Sequence, residues 1–149
     1  MLRSVGPTAA SAAREAWQYV AELFMSQEIQ QRFLAACEAA DLSPPQLKAL
    51  LSMQPGGSQS MRALAEGWRC DASWVTGIVD GLEERGYVQR QAHASDRRVK
   101  VVALTPLGEK AKARALERIN EPPASFTALT SDEQAQLRDL LAKVRAARD

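Results

Sequence analysis

Apolar residues recur along most of this chain at helical spacing, with one short interval where β-branched residues take over. Between Ala9 and Ala40 alanine is abundant, Gly and Pro are absent, and Trp17, Val20 and Phe24 share one helical face. The spacing slips at Ser26 and resumes with Ile29 and Phe33, which predicts one long helix bent at the slip. In "SPPQLKALLSM" Ser43 is an N-cap, Pro44 suits the first helical position and Gln46 completes a capping box. "QPGGSQ" then reads as a loop. "SMRALAEG" predicts a short helix opened by Ser60 and closed by Gly67. "DASWVTGIVDGLEERG" predicts another, capped by Asp71 and ended by Gly86, with Val75, Ile78, Val79 and Leu82 as its buried stripe.

Tyr87 to Gln91 and Val99 to Leu104 are strands, joined by a charged stretch. Thr105 and Pro106 start a further helix, which "EPPAS" interrupts. The last helix begins at Thr130, where Glu133 offers a second capping box, and Leu137, Leu140, Leu141 and Val144 form its stripe. The order predicts a mainly α fold with a small antiparallel β-hairpin. A short helix, a turn, a capped helix and a hairpin make a winged helix-turn-helix over residues 42–105, flanked by helical segments 9–40 and 106–148 that form one compact unit with it.

A chain of 149 residues, 46% hydrophobic, suffices for one domain with a real core. Its net charge of +1 is uninformative, but its distribution is not: Tyr87 to Thr105 carries four cations against one acid. The predicted recognition helix carries Asp80, Glu83 and Glu84 against Arg85 alone, so phosphate attraction must come from elsewhere. No signal sequence and no membrane span is read, and two cysteines make no disulfide framework, so a reduced cytoplasmic setting is expected. One histidine, His93, and the lack of catalytic or metal-binding motifs argue against an enzyme, a metal site or a cofactor.

"MRALAEGWRCDASWVTGIVDGLEERGYVQRQ" followed by "SDRRVKVVALTPLGEKA" resembles the MarR family of bacterial transcriptional regulators, closely from about Leu42 to Lys112. "LEERGYV" and the Asp-x-Arg wing followed by "LTPLG" are its most specific parts. The resemblance implies a homodimer built from the first and last helices, a palindromic operator in double-stranded DNA, and usually repression. It also implies release by a small aromatic or phenolic ligand, or by an oxidant.

On this reading Ser73, Trp74, Thr76 and Gly77 face base edges, with Arg62, Arg69, Arg90, Arg97, Arg98, Lys48 and Lys100 as phosphate-attracting candidates. By resemblance Arg98 enters the minor groove, and Asp96 would hold its guanidinium by a paired hydrogen bond. Relatives commonly carry basic residues where this helix has Gly77 and Gly81: Gly77 permits close approach to DNA and Gly81 close packing, or both are merely tolerated. Trp74 has two readings, a DNA contact or packing at the helix edge. Trp17, Tyr19, Phe24 and Trp68 are the candidates for a ligand cleft, although aromatics at helical spacing more often belong to a core. Cys37 and Cys70 read as small buried hydrophobes, with a redox role for Cys70 beside the helix cap as the alternative. The competing function is a winged-helix protein that binds a protein partner rather than DNA, which the acidic helix keeps open.

Overall fold

The computed structural model describes residues 9–93 and 95–147. Ala94 in the wing tip, the last residue of the 106–148 segment and the extreme N-terminus read for a signal lie outside them. The helices are α1 (Ala9–Phe24), α2 (Gln27–Ala40), α3 (Pro44–Ser52), α4 (Met61–Trp68), α5 (Ala72–Glu84), α6 (Pro106–Asn120) and α7 (Ser131–Ala146). The strands are β1 (Ser58–Ser60), β2 (Val88–Ala92) and β3 (Lys100–Leu104), and a 3-10 turn at Ala124–Ala128 precedes α7.

The single long N-terminal helix expected from the pattern is in fact two. Ser26 leaves helical backbone and becomes the N-cap of α2, its hydroxyl accepting from the Ile29 N–H at 3.4 Å. A serine at a slip in the apolar spacing favours a cap over a bend, because its side chain replaces a lost backbone acceptor. The capping boxes at Ser43 with Gln46 and at Thr130 with Glu133 both form. Gly67 does not close α4. The helix continues to Trp68, whose indole must reach the core, and Arg69 takes the left-handed C-cap conformation instead, φ 53°.

The hairpin is part of a three-stranded antiparallel sheet, because β1 adds to the far side of β3 and gives the order β1-β3-β2. Gln59 and Arg90 both stand opposite Val102. Leu47 and Leu50 of α3, Leu64 of α4 and Val75, Val79 and Leu82 of α5 are almost wholly buried together with Val88 and Val102. The core therefore lies in the helix-turn-helix and its sheet, and it fixes which face of α5 is turned outward. Gly108 closes this lobe against α6: a Cβ there would lie 1.9 Å from the Tyr87 carbonyl oxygen. That carbonyl also accepts from the Thr105 N–H at 3.0 Å, so the entry to α6 is seated directly on the start of the wing.

The outer helices differ. α7 has no buried residue, and Trp17 and Phe24 of α1 are 70% and 74% exposed. Leu140, Leu141 and Val144 are exposed as well. Among the described residues no helix is long and apolar enough to cross a membrane.

Candidate nucleic-acid interface

α5 turns Val75, Ile78, Val79 and Leu82 into the core and leaves Ser73, Trp74, Thr76, Gly77 and Asp80 outward. Asp71 caps it, accepting from the Trp74 N–H at 2.9 Å and from the Ser73 hydroxyl at 2.6 Å. The Ser73 hydroxyl, and after it the Trp74 amide, hold the Asp71 carboxyl below its usual range. The Thr76 hydroxyl donates to the Ala72 carbonyl at 2.8 Å. Both hydroxyls thus direct their protons at their own helix and present lone pairs, and in Thr76 a methyl group, outward. Trp74 is about half exposed and does not belong to the core, an edge position compatible with both readings of it. With Gly77, Ser43 and Pro45 it lines a shallow groove of about 370 Å³ between α3 and α5.

The two helix glycines differ in their surroundings. A Cβ on Gly77 would meet nothing within 4 Å, so the fold itself does not require a glycine there. A Cβ on Gly81 would lie 2.0 Å from the Gln46 amide nitrogen. Gln46 is tethered, since its carbonyl oxygen accepts from the Ser43 N–H at 2.9 Å in the capping box of α3. Gly81 is thus the contact point of the two helices, as expected of a packing glycine.

The wing corrects two expectations. Asp96 does not pair with the Arg98 guanidinium: its carboxylate accepts from the Arg98 backbone N–H at 3.0 Å, and its carbonyl accepts from the Val99 N–H at 3.0 Å. An aspartate closing its own turn two residues on is the commoner local solution. It shapes the tip and leaves the arginines exposed. Arg90 does not face outward as a free cation either. Its guanidinium reaches Asp80 and Glu83 of α5, and its N–H donates to Glu83 at 2.9 Å. Hydrogen bonds from the Arg90 backbone and guanidinium hold the Glu83 carboxyl below its usual range.

Among the described residues Arg69, Arg97, Arg98 and Lys100 form no ion pair, whereas Arg62, 89% exposed, pairs with Glu66 along α4 at 2.9 Å. Lys48 stands over the Phe33 ring, 5.9 Å from its centre. The exposed arginines of the wing and of the α4–α5 turn therefore flank an outward helix face whose acids are partly tied back.

The four aromatics expected at a cleft do not come together. Trp68 packs on the core and donates its indole N–H to the Ser52 hydroxyl at 2.9 Å, which makes it a structural residue. Trp17, Tyr19 and Phe24 are exposed on α1, so they are not core of this chain either. Phe24 alone lines an apolar groove of about 380 Å³, with Val20, Leu23, Ile29, Phe126 and Leu137. Cys37 is buried, and burial pushes its thiol up, away from reactivity. Cys70 is half-buried against the core. Sequence reasoning missed the Arg90 partners: Glu83 lies on α5 and Arg90 on β2, so no single helical or strand period links them, and only the chain reversal at Gly86 brings them together.

A sequence model of the MarR family matches residues 42–100. The transcriptional repressor MdtR of Bacillus subtilis is 30% identical over 122 residues, which cover 81% of this chain and 79% of that protein. Among solved structures, the YusO protein of Bacillus subtilis is similar with a TM-score of 0.70 and 28% identity, over 94% of this chain and 99% of its own. A variant of MarR from E. coli, solved in complex with operator DNA, gives a TM-score of 0.57 and 25% identity over 79% of this chain and 86% of its own. Matching helix-turn-helix, wing and flanking helices together, the chain belongs to the MarR family of transcriptional regulators, a family of DNA-binding proteins and not of enzymes.

Proposed function

We propose that the protein is a homodimeric repressor that binds a palindromic operator in double-stranded DNA. α5 lies in the major groove with Ser73, Trp74, Thr76 and Gly77 toward the bases, and Arg97 and Arg98 reach the adjacent minor groove. Arg62 and Arg69 meet phosphates. One observation carries this reading: the outward face of α5 lies beside a wing whose tip arginines are exposed and form no ion pair among the described residues. Two points lend support. The similar MdtR is named a repressor, and the E. coli MarR variant was solved with operator DNA.

The dimer is formed by α1 and α7, whose apolar residues are uncovered in the single chain. Two copies related by a two-fold axis set their α5 helices about 34 Å apart, one turn of B-DNA. A small aromatic or phenolic effector releases the DNA. Such a regulator works in the cytoplasm, where its operator lies. The observation that favoured a protein partner, an acidic recognition helix, weakens once Arg90 engages two of its carboxylates.

A mobility-shift titration with the DNA upstream of its own gene, with and without a panel of phenolic carboxylates, tests the reading. A salt-sensitive shift that the effector reverses is expected. A complex that forms equally on any duplex contradicts it.

A further inference from the structure

The geometry points to Arg90 as a positioning residue that locks the recognition helix to the wing strand, not as a phosphate contact. The inference rests on the reading of α5 as the DNA-reading helix. Three bonds join α5 to β2 at this one residue. The guanidinium takes the Asp80 and Glu83 carboxylates, and the Arg90 N–H donates to the second oxygen of Glu83 at 2.9 Å. The side chain of Arg90 is only 27% exposed, against 89% for Arg62 on the surface of α4. Asp80 and Glu83 are three apart on α5, so both face one neighbour, and a planar fork spans them where an ammonium cannot.

The position of this lock gives it a functional sense. Asp80 stands on the outward face of α5, one turn from Thr76. By holding it, Arg90 fixes α5 relative to the strand that leads to Arg97 and Arg98. Base contacts and wing contacts then keep one spacing, which sequence-specific binding needs and non-specific binding does not. The low pKa of Glu83 and the raised one of Arg90 agree with both groups staying charged in the lock.

The test compares the full-length protein with Arg90→Met and Glu83→Gln on a duplex selected by the wild type and on a scrambled duplex of equal length, across a salt series. Thermal melting checks folding, and amide exchange at Arg90 reads the lock without DNA. The lock predicts that both variants lose at least tenfold in preference for the selected duplex. Their non-specific binding stays within about threefold, with an unchanged salt slope, and exchange of the Arg90 amide quickens. A phosphate contact predicts instead that Arg90→Met weakens both duplexes and lowers the slope by about 0.9, while Glu83→Gln, which removes no cation, keeps the preference. That pattern overturns the proposal, as does full preference in both variants. No preference in the wild type contradicts the DNA-reading function itself, and is seen before any variant is measured.

Discussion

At the residue scale, cationic charge within reach of DNA is concentrated in a few exposed side chains. Arg98 follows a turn that Asp96 closes through the backbone, so its guanidinium is free to enter a narrow groove rather than being held by the aspartate. Arg98→Ala should weaken binding to a selected operator at least tenfold, about 1.4 kcal/mol, and flatten the salt dependence. An unchanged affinity and slope in a fluorescence titration would remove Arg98 from the interface. The recognition helix has no cation on its outward face, so on the proposed reading this wing would carry a larger share of the binding energy than where that helix is basic.

The two glycines of α5 make a paired prediction. At Gly77 the space is open, so Gly77→Ala should stabilise the fold by up to about 1 kcal/mol through helix propensity. It should also weaken DNA binding if the backbone approaches DNA there. At Gly81 the added methyl displaces the tethered Gln46, and the loss of its capping box, about 1 kcal/mol, cancels the same gain. Thermal melting separates them: a rise of about 2–4 °C for the first and none for the second. A rise for both would show that Gln46 yields without cost.

At the element scale, the order of helices and strands was legible because each boundary has a local chemical cause. Ser43, Ser60, Asp71, Thr105 and Thr130 all stand at helix starts, and Gly86 reverses the chain with φ 69°. What failed either had no local signal or had one masked by its neighbours. β1 is three polar residues, Ser58–Ser60, whose strand character comes only from pairing with β3. Ser26 was readable as a cap, but alanine-rich sequence on both sides hid the break. Arg69 took the left-handed position that Gly67 offered because Trp68 had to remain helical to bond Ser52.

Of the candidate site, the outward face of α5 and the tip arginines could be read from periodicity and charge. The partners of Arg90 and Asp96 could not, since spacing along the chain does not say which acid a cation will meet. The seat of α6 on the wing gives the prediction at this scale. Gly108→Ala places a methyl against a backbone carbonyl that cannot move without breaking the Thr105 bond, so it should cost about 1–3 kcal/mol and lower the melting temperature. Wild-type melting in this variant would mean that α6 can tilt freely off the wing.

At the scale of the whole molecule, the exposed apolar faces of α1 and α7 are the largest feature that a single chain leaves unexplained. Leu140, Leu141 and Val144 form the predicted stripe of the last helix, yet none is buried, and Trp17 and Phe24 are bare. The stripe is visible in the sequence, but nothing within the described residues covers it. On the proposed reading a second copy would cover both faces. Leu141→Asp should shift the protein to monomer by light scattering and abolish tight operator binding while the winged lobe keeps its fold. A dimer that survives with unchanged affinity would put the interface elsewhere.

The central claim is that two copies of α5 and its wing read one symmetric site. Selection of bound duplexes from a random pool by the purified full-length protein tests it most directly. The account predicts enrichment of a palindrome whose half-sites are centred about 10 base pairs apart, one helical turn, flanked by A·T-rich steps where Arg97 and Arg98 enter the minor groove. A pool that stays random after repeated rounds, or that converges on a site without two-fold symmetry, would contradict it.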